Sequence, residues 1–282
     1  MSTRILIDST TDLIPEIRSQ MTVVPLTIYF GREEYIDGIT INGQEFYEKL
    51  VESEELPTTS QATPIAFEKA FQEAVDAGDE VVAITISSRL SGTYQSACIA
   101  AEDFPGKVFV VDSKNVTIAA GILAEYALNL AKQGMGAEAV AAAVTEKREQ
   151  VQLVAMLDTL EYLKKGGRIS KTAAIAGSLL SIKPVVALRD GEVIILGKAR
   201  GSRQANNMLV QEIEKAGGVD FQKPVLLGYT GLDDSLLQKY VADSERLWKP
   251  YSQELHTSLV GSVVGTYAGP GAVAVAFFAG KK

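Results

Sequence analysis

Serine, threonine and glycine gather in one short stretch, Ser87-Ser88-Arg89-Leu90-Ser91-Gly92-Thr93-Tyr94, which follows an apolar run and opens a helical one. The first turn of a helix leaves N–H groups without intrahelical partners and carries the positive end of the macrodipole. The Ser91 hydroxyl with the Gly92 and Thr93 amides can therefore hold a carboxylate or a phosphate. Gly92 has no side chain to bar the ligand's approach. The plainer reading makes Ser91 only an N-cap. A serine nucleophile is a third reading, but the sole histidine, His256, sits in the strand-like segment Glu254 to Leu259, where nothing marks it as a base.

Other stretches carry less specific chemistry. Asp8-Ser9-Thr10-Thr11-Asp12 offers two carboxylates to Mg²⁺ or to a phosphoryl group, although loop capping is the commoner use of such residues. One His, one Cys and no carboxylates at ligand spacing give no metal site and imply no cofactor. Between Pro57 and Pro64 the prolines disfavour helix, so Thr59 and Ser60 fall in an extended segment rich in hydroxyls. The basic clusters Lys164 to Lys171, with Arg168, and Lys198 to Arg203, with Arg200, read equally as a helix C-cap and a solvated loop. Gly265 to Gly271 reads as a tight glycine-proline loop.

Positioning such groups requires a folded frame, and the composition supplies one. With 282 residues, 46% apolar, the chain buries a full core in two domains, placed at 1–150 and 151–282. A net charge of −8 argues against a nucleic-acid partner or an anionic membrane surface. The single cysteine, Cys98, excludes an internal disulfide, and the opening residues lack a signal peptide, so the cytoplasm is the expected compartment. Leu259 to Gly280 is long and apolar, but Gly, Ser, Thr and Pro divide it, and it reads as buried sheet with no membrane span.

The first half alternates strand-like runs (Arg4 to Asp8, Val23 to Tyr29, Glu80 to Ile86, Lys107 to Val111) with helical ones, the rhythm of a parallel α/β sheet. Polar clusters follow the first, third and fourth of these, and in an open α/β sheet such carboxyl-end loops lie together. The second half, from Val151, reads as a mixed, largely antiparallel α+β unit. It has a helix Lys171 to Leu180, a hairpin turning at Arg189-Asp190-Gly191, helices Ser202 to Lys215 and Ser235 to Trp248, and strands Pro224 to Tyr229 and Ala272 to Phe278.

The order of six pieces carries a resemblance: Asp8-Ser9-Thr10-Thr11-Asp12-Leu13, Thr59-Ser60-Gln61, Ser87 to Tyr94, Gly166-Gly167-Arg168-Ile169-Ser170, Ile182-Lys183-Pro184 and Gly269-Pro270-Gly271. Together they resemble the DegV family of bacterial fatty-acid-binding proteins nearly end to end. The resemblance implies a parallel α/β domain followed by a largely antiparallel one, with a long-chain fatty acid enclosed in a tunnel. It implies a carrier that is not itself an enzyme, presenting its acid to a separate fatty acid kinase for acyl-phosphate formation and phospholipid synthesis. By that likeness Thr59, Ser60, Ser91 and Gly92 hold the carboxyl head, and Arg168, Arg200 and Arg203 meet the kinase. The alternative is an enzyme, a phosphoryl or acyl transferase acting on a small anionic substrate through Asp8 or Ser91.

One departure stands at the head group. Where the family usually has histidine before Gly-Pro-Gly, this chain has Tyr267-Ala268-Gly269-Pro270-Gly271. A phenol donates a hydrogen bond but, with a reference pKa of about 10, supplies no cation. The departure is compatible with carboxyl binding and bears on handover to the kinase.

Overall fold

The computed structural model describes residues 2–169, 182–251 and 254–280. In chain order its strands are β1 (Thr3–Asp8), β2 (Thr22–Val24), β3 (Thr27–Phe30), β4 (Glu33–Ile36), β5 (Thr58–Ser60), β6 (Glu80–Thr85) and β7 (Val108–Asp112). β8 (Val151–Met156), β9 (Ile182–Arg189), β10 (Glu192–Arg200), β11 (Leu226–Tyr229), β12 (Thr257–Leu259) and β13 (Val273–Phe278) follow. They form a parallel sheet of order β2-β1-β6-β7, a mixed sheet of order β10-β9-β8-β13-β11-β12 and a small sheet β4-β3-β5. The mixed sheet is antiparallel except for the β11–β12 pair.

The parallel sheet is covered on both faces, as apolar strands such as β1 and β6 require. Ile5 and Ile7 of β1 point into one core and Leu6 into another, the period of two of a strand. The Leu6 side is closed by Phe67 and Phe71 of the helix Pro64–Asp76 and by Ala97 of the helix Thr93–Ala101. The Ile5 side is closed by the helices Thr117–Lys132 and Ala137–Lys147. The mixed sheet divides likewise: Val154, Met156, Val273 and Val275 pack with the helix Gly201–Lys215. Leu153, Ala155, Ala272 and Ala274 face the helix Thr117–Lys132 of the parallel half. One core layer therefore lies between the two sheets, and it is this layer that contains a cavity.

Several elements differ from the sequence reading. The run Val23 to Tyr29 is not one strand: β2 joins the parallel sheet and β3 the small one. Pro25 has no N–H for a ladder, and the Leu26 amide donates to Ser9 Oγ at 3.0 Å instead. The segment after β12 is not sheet or loop up to Gly271, because Ser262–Ala268 forms a helix that ends at Gly269, φ +69°. Ser235–Asp243 and Glu245–Trp248 are two helices, parted at Ser244, whose Oγ donates back to the Tyr240 carbonyl at 2.5 Å. The hairpin at Asp190-Gly191 is present, with both residues at positive φ and Arg189 opposite Glu192. The expected helix Lys171 to Leu180 lies outside the described residues. Among the described residues no helix is long and apolar enough to cross a membrane.

Candidate ligand-binding site

The cavity between the sheets holds about 930 Å³ of atom-free space, its open mouth included. Both halves line it. Leu26, Ile86, Leu90 and Val116 come from the parallel half, and Leu153, Leu157, Val186, Val263 and Ala274 from the mixed half. The polar lining residues are Thr59, Ser91, Thr117, Arg168, Thr230 and Tyr267. Two of these are spent within the fold: Thr117 Oγ1 donates to Asp12 at 2.6 Å, and Thr230 Oγ1 accepts from the Ala272 amide at 2.7 Å.

The other four converge. Thr59 Oγ1 and the Tyr267 hydroxyl share a hydrogen bond of 2.7 Å. The Arg168 guanidinium lies over the Tyr267 ring, 4.5 Å from its centroid, a cation–π contact. Arg168 Nε donates to the Leu90 carbonyl at 3.3 Å and Nη1 to the Gly166 carbonyl at 2.7 Å, which brings the guanidinium to the residue preceding Ser91. No lysine or carboxylate lines the cavity among the described residues, so Arg168 is its one charged side chain there.

Local sequence explains each placement. β5 pairs Thr59 with Ile28, so Thr59 turns to the cavity while its neighbours Thr58 and Ser60 are exposed. Gly92, not Ser91, is the N-cap of the helix Thr93–Ala101; Ser91 precedes it, its Oγ accepting from the Thr93 amide at 3.2 Å. The space a side chain at Gly92 would take is occupied by Gln61, whose Oε1 lies 2.0 Å from where a Cβ would be and whose Nε2 donates to Ser96 Oγ at 2.9 Å. Gln61 thus ties the end of β5 to the helix that Ser91 opens. Gly166 lets the Tyr267 ring approach to 2.3 Å from an imagined Cβ, and Gly269, at φ +69°, does the same for Tyr162. These glycine-aromatic contacts have no signature in sequence, because their partners lie about a hundred residues away.

Ser60, Gly92, Arg200 and Arg203 do not line the cavity, and all four are exposed. Arg200 stands at the N-cap of the helix Gly201–Lys215, with Arg203 in its first turn. The two acids of the first loop are buried. Asp8 accepts from the Thr10 amide and hydroxyl at 3.0 and 2.5 Å and from the Ile86 amide at 2.7 Å, so one oxygen holds its own loop and the other the residue that precedes Ser87. Burial raises its carboxyl above the usual range despite those donors. His256 is exposed and does not line the cavity. No group of three or more His, Cys, Asp and Glu is set to hold a metal among the described residues.

The fold has relatives among known proteins. Residues 2–280 match the family model described as "Uncharacterised protein, DegV family". A DegV domain-containing protein of Caldanaerobacter subterraneus subsp. tengcongensis is 35% identical over 257 residues, 90% of each chain, and one of Deinococcus radiodurans 33% over 282 residues, 98% of each. Among solved structures, a fatty-acid-binding DegV family protein from Thermus thermophilus superposes with a TM-score of 0.88 at 32% identity, covering 99% of this chain and 100% of that one. A Streptococcus pneumoniae fatty acid kinase (Fak) B3 protein loaded with linoleic acid superposes at 0.86 and 25% identity, covering 99% and 100%.

Proposed function

The chain belongs to the DegV family, and on that premise we propose that it binds a long-chain fatty acid in the cavity between its sheets and presents the acid to a separate fatty acid kinase. The observation that carries this reading is the division of the cavity into an apolar body and one polar end made of Thr59, Ser91, Arg168 and Tyr267. An acyl chain needs the first and a carboxylate the second. The fatty acids in the Thermus and Streptococcus relatives support the ligand class.

The chemistry of the polar end suits a carboxylate. Only one proton lies between Thr59 Oγ1 and the Tyr267 hydroxyl, so the other hydroxyl keeps its proton to donate. Ser91 adds a further hydroxyl, which shares a hydrogen bond of 2.9 Å with Thr93 Oγ1, and the family resemblance adds Ser60 and Gly92 to the same head-group site. Arg168 brings the balancing positive charge that the tyrosine cannot, and its planar guanidinium suits a carboxylate. Arg200 and Arg203, exposed at a helix N-terminus where cations are disfavoured, suit the surface that meets a kinase. Nothing in this role asks the chain to break a bond, and it acts as a carrier.

Mass spectrometry of a chloroform extract, with native spectra of the intact protein, tests the reading. A fatty acid at one per chain supports it. A protein that is empty, and that also takes up no added palmitate, would remove it and return attention to a small anionic substrate.

A further inference from the structure

Where the two walls of the cavity meet, the join is made by buried carboxylates. Asp12 is 6% exposed, and its two oxygens hold different elements. Oδ1 accepts the Gly261 N–H at 3.0 Å and Oδ2 the Thr117 hydroxyl at 2.6 Å. Thr117 lines the cavity from the parallel half. Gly261 leads into the helix Ser262–Ala268, which gives the opposite wall Val263, Val264 and Tyr267. One side chain thus grips a wall residue of its own half and the backbone that carries the other wall. Asp37, 7% exposed, stands beside it, and the Tyr47 hydroxyl donates to the Val260 carbonyl at 3.0 Å.

The backbone is shaped for this join. Thr117 sits at φ +51°, a left-handed conformation rare for a β-branched residue and the kind of strain found at functional sites. One turn along, Gly121 has no side chain because a Cβ there would lie 2.1 Å from the Asp12 carbonyl oxygen. Both features bring the helix Thr117–Lys132 hard against Asp12.

We propose that Asp12, with Asp37 beside it, is a positioning residue that acts as a proton-linked latch on the cavity, holding the two walls closed while its carboxyl is neutral and letting them part when it charges. The proposal rests on the ligand reading above for its consequence, though not for its geometry. Closing the seam strips water from both carboxyls; opening restores it. Burial accordingly raises Asp12 to about 7 and Asp37 above its ordinary value, against the pull of Thr117, Arg18 and Gly261 on the first and of Ser9, Ser262 and Arg18 on the second. The charged and titratable groups facing the seam are Arg18, which lowers both; Asp37 and Asp8, which raise their neighbours; and the Tyr47 phenol. The closed form holds the proton more tightly than an open, hydrated carboxyl of ordinary pKa, about 3.9. Closure therefore weakens as pH rises toward 7, by at most about tenfold per pH unit for each proton released, and levels off above it.

Two measurements on the full chain test this. The first is hydrogen exchange of ligand-free protein between pH 6 and 8.5, corrected for the pH dependence of chemical exchange. Protection of residues 261–268 should fall from pH 6 to a little above 7 in the wild type and level off beyond that, while staying flat in Asp12→Asn, whose amide matches the neutral carboxyl in shape. The second is release of bound palmitate to acceptor vesicles, which should quicken at least about threefold from pH 6.5 to 8.5 in the wild type. Asp12→Asn should hold it at one slow rate, and comparing the two proteins cancels the titration of palmitate itself. Flat exchange in the wild type, or the same slope in Asp12→Asn and Asp37→Asn, overturns the latch even if palmitate binds. Exchange that titrates in a protein that never binds palmitate leaves the latch standing and removes the fatty-acid reading.

Discussion

The hydroxyls of Thr59 and Tyr267, 208 residues apart in the chain, share a single hydrogen bond of 2.7 Å across the cavity's polar end. It joins β5 of the parallel half to the helix Ser262–Ala268 of the mixed half, so the polar end of the cavity exists only when both halves are in place. Tyr267→Phe keeps the ring beneath Arg168 and removes only the hydroxyl. A neutral hydrogen bond contributes about 1 kcal/mol, so palmitate affinity should fall about fivefold with little change in melting temperature. Isothermal titration of the delipidated variant reads this directly, and unchanged affinity would take Tyr267 out of the head-group site.

Tyr267→His puts a titrating group where the wild type has a neutral phenol. Imidazole has an ordinary pKa of about 6.5, so the variant should bind palmitate more tightly at pH 6 than at pH 8 relative to Tyr267→Phe. If the two variants follow the same pH profile, the side chain at 267 does not face the carboxylate.

Ser91→Ala removes both a donor to the ligand and the acceptor of the Thr93 amide. Affinity should drop by about 1 kcal/mol, roughly fivefold, and stability by a similar amount because a helix start loses its side-chain partner. A loss of stability alone would leave Ser91 as a capping residue.

Glycines 166 and 269 predict opposite balances. At Gly166, φ −73°, alanine is free of backbone strain but would strike the Tyr267 ring, so Gly166→Ala should weaken ligand binding more than folding. At Gly269, alanine meets both a left-handed φ and the Tyr162 ring 2.3 Å away. Gly269→Ala should cost on the order of 2–4 kcal/mol of stability. Thermal melts beside palmitate titrations separate the two, and equal losses for both variants contradict the assignment.

Asp12 makes global stability depend on pH near neutrality. Its folded pKa, about 7, lies above the unfolded value, so the folded state binds the proton more tightly and the group's unfavourable contribution grows as pH rises through 7. Carboxyls held low by partners, such as Asp79 beside Arg4 and Ser2, lose their stabilising contribution only well below pH 5 and do not enter this window. The urea midpoint should therefore fall between pH 6 and 8 in the wild type and move less in Asp12→Asn. A midpoint that rises over that interval would contradict the burial argument.

Much of the frame was legible in the sequence because its signals are local. Apolar runs of strand length ending in Asp8, Ser87 and Asp112 marked the parallel strands, and Asp190-Gly191 at positive φ marked the hairpin. The Ser91-Gly92 turn was legible for the same reason, since a helix start is written in neighbouring residues. The break at Pro25-Leu26 was misread as one strand because the decisive partner, Ser9, lies on another loop. The helix Ser262–Ala268 was misread because its small residues resemble a turn until Phe46 and Tyr47 are seen closing on Gly265.

By itself, then, the sequence determined the two kinds of sheet, the hydroxyl-rich loops at the ends of the parallel strands and the absence of histidine at position 267. Only the tertiary structure decided that Thr59 meets Tyr267, that Arg168 turns toward the cavity while Arg200 and Arg203 stay exposed, and that Asp12 joins the two walls. Local elements follow from periodicity and capping within a few residues. A cavity between two sheets is built from side chains far apart in sequence, and their meeting is fixed by packing across the seam.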